Sequence, residues 1–230
     1  MVSGGNDASV AFSQRLQRLK QRGCNLLVVG SVPDSVFSLA SNQMLGDPAL
    51  HRHRLFVLTD ADTSTARGRL PAASTSSITE TTKIVDHVPS ARSAVAQAGA
   101  ATGRISAERV YDEDLDTLCT RVADTIETWE CREGQFEPGR FRLCFDSLRP
   151  IVDGYSRKAV SRFLDRLTAE VRGVRGMGHF ILPVERDDEA VDWLTPTFDA
   201  VVELRTVNDT REQERWYLPE ENLTTDWITL

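Results

Sequence analysis

The strongest constraint on the fold is a series of short apolar runs that alternate with helical segments. Three of these runs are Asn25–Val29, Phe141–Phe145 and Gly178–Val184. Apolar runs of this length are typical of strands that are buried on both faces of a parallel sheet. Residues 113–131 carry apolar side chains at helical spacing, and a second helix of this kind follows Ser156, a favoured N-cap residue. The alternation predicts an α/β fold.

Other segments extend the same pattern. The sequence predicts helices at 10–22 and 33–45, a short helix or turn at 187–194, strands at 54–59 and 83–88, and a turn at Asp153-Gly154. Polar and apolar residues alternate in 198–205 and 211–218 around Asn208-Asp209, which predicts a β-hairpin at the sheet edge. We therefore expect a three-layer sandwich with a mostly parallel central sheet and a C-terminal antiparallel β-hairpin.

The domain organisation is predicted to be a single domain over residues 1–230, because neither an internal repeat nor a clear boundary interrupts the pattern. Three parts of it stand apart: an N-terminal helical region at 1–23, a loose insertion at 60–107 and a C-terminal tail at 219–230. The insertion is rich in small and polar residues. The tail contains Leu223 and Trp227, which predicts either that it folds back on the sheet edge or that it docks on a second subunit.

Charge and hydropathy exclude several classes of protein. A net charge of -7 disfavours nonspecific binding to nucleic acid or to anionic lipid. No apolar run reaches membrane-spanning length, and residues 1–8 are too small and polar for a secretory signal. We expect a cytoplasmic protein that has no membrane partner and is unlikely to bind nucleic acid.

The basic residues are strongly biased, since Lys20, Lys83 and Lys158 are the only lysines among 27 basic residues. Lysine depletion with an acidic excess fits a salt-loaded cytoplasm or a GC-rich genome. It predicts an archaeal, halophilic source.

The cysteines and histidines indicate no metal or hydrolase site. Cys24, Cys119, Cys131 and Cys144 form no CxxC pair and have no histidine at zinc-ligand spacing, so we expect no metal and reduced core thiols. The four histidines lack a nucleophile at the spacing of a catalytic triad. His51 and His53 are interpreted as part of a polar loop before a strand, with anion binding as the alternative.

The first apolar run ends at Gly30 and is followed by a helix, which is the context of a phosphate-binding loop. That loop requires the pattern GxxxxGK[ST], in which the lysine contacts phosphate and the hydroxyl binds magnesium. Ser35, Val36 and Phe37 stand where the second glycine, the lysine and the hydroxyl should be. Asp34 adds a negative charge beside them, and Ser31 follows the first glycine. This degenerate loop predicts loss of ATP hydrolysis, no catalytic residue and no cofactor beyond weakly bound Mg-nucleotide.

The strand Phe141–Phe145 and the following Asp146 and Ser147 resemble the Walker B strand of the RecA/KaiC superfamily of P-loop proteins. In that superfamily the aspartate supports magnesium through its water shell. By the same resemblance, Asp60 and Asp62 lie where RecA-like ATPases place a catalytic glutamate. The resemblance covers roughly residues 20–220 and implies a RecA-like fold. The chain is also similar to a haloarchaeal family related to KaiC whose members end much as residues 218–230 do.

The sequence leaves several functions open. We expect a non-hydrolysing RecA/KaiC-like protein of regulation or assembly that acts by self-association or by binding a protein partner. The alternative is a nucleotide-binding protein or weak ATPase that uses Asp146 and Asp60. A DNA-binding filament is least favoured because of the charge. The structural alternatives are that Asp146 caps the next loop through Ser147 and that Asp60 and Asp62 are solvated loop carboxylates.

Overall fold

The computed structural model describes residues 4–47, 49–60, 68–69, 81–87, 106–110, 114–208 and 210–230. Its helices are α1 (Gly4–Arg22), α2 (Asp34–Leu45), α3 (Leu115–Glu133), α4 (Arg149–Gly154), α5 (Arg157–Gly173) and α6 (Glu189–Leu194). Its strands are β1 (Cys24–Val29), β2 (His53–Leu58), β3 (Thr82–His87), β4 (Ser106–Val110), β5 (Phe141–Phe145), β6 (Met177–Leu182), β7 (Ala200–Val207), β8 (Arg211–Leu218), β9 (Leu223–Thr224) and β10 (Ile228–Thr229).

The strands form one open sheet in the order β10-β8-β7-β1-β6-β5-β2-β3-β4, and β9 also pairs with β8. Neighbours from β7 to β4 pair in parallel. β8 pairs antiparallel with β7, and the two short C-terminal strands pair antiparallel with β8. The predicted α/β class with a mostly parallel sheet is confirmed.

Helices cover both faces of the sheet because side chains of a strand point alternately to its two sides. In β1, Leu27 and Val29 face the core formed with α3 to α6, whereas Leu26 and Val28 face α1 and α2. The apolar stripe of α5 (Val160, Phe163, Leu164, Leu167 and Val171) is buried as its spacing predicts. Strands of the middle of the sheet are therefore covered on both sides.

Some local predictions were wrong. Asp153-Gly154 is not a turn but the end of α4, a helix that begins beside Pro150, a favoured first-turn residue. His53 is not a loop residue: it is the first residue of β2 and is 1% exposed. The strands β9 and β10 were missed because two-residue strands leave no periodic pattern. Within the predicted insertion at 60–107 the structure describes β3 and the start of β4, and most of its other residues lie outside the described ranges.

The four thiols are free, and three of them are buried as predicted. Burial raises the pKa of Cys24 and Cys119 to about 12 and that of Cys144 to about 11. Cys131 is exposed on α3, which corrects its assignment to the core. Among the helices in the described ranges, none combines the length and the apolar character needed to cross a membrane.

Candidate functional site

The carboxyl ends of β1, β2, β5 and β6 border a cavity of about 230 Å³, which we call the strand-end cleft. In open α/β sheets, ligands bind at this edge, outside the carboxyl ends of the strands. The cleft is lined by Asp34, Phe37, Asp60, Arg69, Asp146, Ser147, Ile181 and Pro183. The structure thus brings together five residues that the sequence singled out in three separate segments. Asp62, predicted beside Asp60, lies outside the described residues.

Gly30 is a glycine for a reason other than phosphate binding. Its φ is 152°, and a Cβ atom at this position would lie 2.6 Å from the carbonyl oxygen of Leu204 in β7. Its N–H donates to the carbonyl of Val184 at 2.8 Å. Because close packing requires the glycine and a protein carbonyl uses its N–H, Gly30 offers no hydrogen-bond donor to a phosphate.

The other residues of the predicted degenerate loop also offer few groups to a phosphate. Pro33 carries no N–H, and the N–H of Val36 donates to the Pro33 carbonyl at 2.9 Å. The side chains of Val36 and Phe37 are each 3% exposed and pack in the core beneath α2. Ser31 and Ser35 are exposed. Val36 and Phe37, which stand where a lysine and a magnesium-binding hydroxyl would be needed, therefore contribute to the packing of the core.

Arg69 supplies a positive charge to the cleft, and Asp34 neutralises it. The Arg69 side chain is 4% exposed, and its Nη2 donates to Asp34 Oδ1 at 2.7 Å. Nη1 lies 3.4 Å from the carbonyl oxygen of Asp146. Burial acts to lower the pKa of Arg69, but the acidic groups around it, among them Asp34 and Asp146, raise that pKa overall. The Asp34 carboxylate is thus bound to the Arg69 guanidinium, the group of the cleft that could otherwise bind an anion.

Asp146 ties the ends of two neighbouring strands together. Its Oδ1 accepts hydrogen bonds from the backbone N–H and the hydroxyl of Thr59, at 2.8 and 2.9 Å. Its Oδ2 lies 3.3 Å from the N–H of Asp60. The predicted Asp146 and Asp60 are therefore adjacent, although the bonds of Asp146 hold the backbone after β2. Ser147 Oγ accepts from the N–H of Arg149 and helps to begin α4.

Residues 23–204 match a protein family of unknown function, DUF7504. The chain belongs to this family. The DUF7504 segment begins one residue before β1 and ends within β7. It includes the parallel strands and every residue that lines the strand-end cleft, whereas α1 and β8 to β10 lie outside it. A comparison with curated proteins finds no match to the chain.

Sequence reasoning missed two polar residues at this cleft: Arg69, which lines it, and Thr59, which donates to Asp146. Arg69 lies in a segment of small and polar residues, where no periodicity distinguishes it from a solvated arginine. Thr59 was predicted only as the last residue of a strand. Its position directly before Asp60, at the end of a buried strand, is the one signal that could have indicated a role at the sheet edge.

Proposed function

We propose that the chain is a non-hydrolysing relative of RecA/KaiC-like P-loop proteins that acts in regulation or assembly through protein–protein contacts. The observation that carries this proposal is the Asp34–Arg69 ion pair at the degenerate loop. In this pair the Arg69 cation binds the Asp34 carboxylate of the same chain, where a P-loop protein would use a cation to bind a nucleotide phosphate. A non-hydrolysing role follows because no described residue takes over the lysine and hydroxyl functions of the loop.

The size and charge of the cleft support the same proposal. Its volume of about 230 Å³ is smaller than the roughly 300–1,000 Å³ of typical small-molecule sites. Among the described residues, three carboxylates (Asp34, Asp60 and Asp146) and one arginine line it, so the charge of this part of the cleft disfavours a polyphosphate. We infer that the sheet, its two helical layers and the β7–β8 pair correspond to a RecA-like three-layer sandwich with a C-terminal hairpin.

The proposed setting is the cytoplasm of a salt-adapted archaeal cell, and the proposed partner is a second copy of the chain or another protein. Free, buried thiols support a reducing compartment. The net charge of -7 argues against nucleic acid as the partner.

Calorimetric titration of Mg-ATP and Mg-ADP tests whether the Asp34–Arg69 ion pair prevents nucleotide binding. The wild type should bind no tighter than about millimolar, because the described residues of the cleft leave no charge-assisted contact free for the phosphates. Asp34→Ser frees the Arg69 guanidinium and should strengthen Mg-ATP binding by about tenfold. Asp192→Ser is the matched control, since it removes another exposed carboxylate that faces an arginine, Arg186, at 3.6 Å. Micromolar binding by the wild type, or no difference between the two variants, would contradict the proposal.

Light scattering at high salt on the same samples tests the role in assembly. We expect a mass above the 25.6 kDa of one chain, unchanged by Mg-ATP. A mass that depends on Mg-ATP would instead favour nucleotide-driven assembly.

The second candidate function is nucleotide binding or weak ATP hydrolysis that uses Asp146 and Asp60. It is favoured by their adjacency, since the Asp60 N–H lies 3.3 Å from Asp146 Oδ2. Under the first proposal Asp146 is structural, so Mg²⁺ should not change the melting temperature of the wild type or of Asp146→Asn. Asp146→Asn should itself lower stability by about 1–3 kcal/mol, because the NH2 group that replaces one carboxylate oxygen then faces a backbone N–H, that of Asp60 or that of Thr59. Stabilisation by Mg²⁺ in the wild type alone would establish an ion site and support the second function.

A further inference from the structure

A second group of polar side chains lies at the opposite edge of the sheet, where the parallel strands begin. His51 precedes β2, His53 is its first residue, and Glu133 is the last residue of α3. Arg140 precedes β5, and its carbonyl accepts the N–H of His53 at 3.0 Å. We call His51, His53 and Glu133 the histidine cluster.

The donor atoms of the histidine cluster have the spacing of a metal site. One nitrogen of each histidine and one carboxylate oxygen of Glu133 all lie within 4.8 Å of one another. His53 Nε2 and Glu133 Oε2 are 3.0 Å apart. Ligands of a tetrahedral zinc ion lie about 2.0–2.2 Å from the metal and hence roughly 3.3–3.5 Å from one another. Small side-chain rotations would bring the three atoms to these distances.

His53 has only one polar side chain close to its ring nitrogens among the described residues. The side chain is 1% exposed and packs against Trp129 and Phe136, with ring centroids at 4.7 and 5.1 Å. Nε2 lies 3.0 Å from Glu133 Oε2, whereas Nδ1 is buried and has no hydrogen-bond partner in the described part of the chain. A buried polar atom without a partner is costly, so such a group indicates a missing ligand.

Arg140 places a cation inside this cluster. Its Nη2 lies 2.8 Å from His51 Nδ1 and 3.2 Å from Glu133 Oε2, so one nitrogen contacts two of the three donor residues. The Arg140 side chain is 33% exposed and can turn towards solvent. The position that a metal ion would occupy thus already attracts positive charge.

We propose that His51, His53 and Glu133 bind a divalent transition-metal ion of the zinc class, and that Arg140 takes the place of the ion in its absence. Two imidazoles and one carboxylate are a donor set that zinc uses in proteins, with a fourth position left for water. The aromatic rings around His53 exclude water from one side of the site, which strengthens the metal–ligand bonds. This ion would join the start of β2 to the end of α3. The proposed metal site does not depend on the function proposed for the strand-end cleft.

Calorimetry with Zn²⁺ tests the site in a Cys131→Ser background, because the exposed Cys131 thiol could bind metal by itself. We expect one ion per chain with a dissociation constant of about 10 micromolar or tighter, a range that three protein ligands readily reach. Visible absorption of bound Co²⁺ should show tetrahedral coordination without a thiolate band.

Substitutions of the ligands and of Arg140 make the test specific. Glu133→Gln and His51→Gln, both at exposed positions, should each weaken zinc binding by at least about 100-fold, more than the loss of an outer-shell partner. Arg140→Gln should strengthen binding by about tenfold, because it removes the competing cation. Glu127→Gln, an exposed carboxylate change on the same helix, should leave the affinity unchanged.

The folded state of each variant is checked by its circular dichroism and cooperative melting. Absence of stoichiometric binding at about 100 micromolar Zn²⁺, or equal affinity in Glu133→Gln and the background, would overturn the metal site. Weaker binding by Arg140→Gln would overturn the role given to Arg140.

Discussion

His179 shows how strongly the interior of this sheet controls a single side chain. It lies in β6, is 2% exposed, and has Nε2 3.2 Å from the hydroxyl of Ser41. Burial, with a further contribution from Arg69 and Arg142, lowers the pKa of His179 to about 3. Between pH 5 and pH 7 the His179 imidazole of the folded protein is therefore neutral.

This burial predicts a loss of stability in mild acid. Between the ordinary histidine pKa of 6.5 and the folded value of about 3, the unfolded chain binds one more proton than the folded chain. The contribution of His179 to the free energy of unfolding is therefore complete above pH 6.5 and falls by about 1.4 kcal/mol for each pH unit below it. Urea unfolding at pH 7 and pH 5 measures this difference.

The variant that tests this is His179→Gln, which removes the buried imidazole. It should flatten the decline between pH 7 and pH 5 by about 2 kcal/mol, whereas Glu127→Gln, an exposed change that removes no histidine, should keep the wild-type slope. An unchanged slope in His179→Gln would show that other groups cause the acid sensitivity.

At the scale of elements, the tail is held by β8 and by two arginines. β9 and β10 pair with β8, and the N–H of Leu230 donates to the Glu212 carbonyl at 3.1 Å. The guanidinium carbons of Arg205 and Arg215 lie 3.8 and 4.6 Å from the centroid of the Trp227 ring. Of the two predicted roles of the tail, these contacts favour folding back on the edge of the sheet.

Deletion of residues 223–230 should therefore lower the free energy of unfolding by about 3 kcal/mol at an unchanged mass. Two cation–π contacts of about 0.5–1 kcal/mol each and several hydrogen bonds of about 1 kcal/mol each are lost. Thermal unfolding and light scattering measure the two quantities. Ile228→Ser, an exposed change in the same tail, should alter stability by less than about 0.5 kcal/mol. A cooperative core that falls from oligomer to monomer would mean that the tail docks on a second subunit instead.

For the whole molecule, the parts that the sequence predicted are those that local pattern controls. β1, β5 and β6 were found because strands covered on both faces must be apolar, and α5 was found because its stripe repeats at helical spacing. The strands and α5 are consequences of local pattern alone. Asp60 and Asp146 were singled out by a resemblance to the strand ends of RecA/KaiC-like proteins, and the structure places them side by side because carboxyl ends of parallel strands lie at one edge of the sheet.

The parts that were missed depend on contacts between distant segments. Arg69 reaches Asp34 across 35 positions, and His53 reaches Glu133 across 80. No spacing rule connects such residues, because only the order of strands in the sheet brings them together. A single sequence carries no signal for that order at these positions.

The strand β2 connects the histidine cluster to the strand-end cleft. It begins at His53 in the histidine cluster and ends at Leu58, just before the Thr59 and Asp60 backbone that Asp146 holds. Its six residues are all buried and span about 17 Å, a length that an extended backbone cannot stretch. Close-packed interiors have low compressibility and transmit strain. A displacement of His53 along the strand would therefore also displace Leu58 at the opposite edge of the sheet, because β2 itself can deform only slightly.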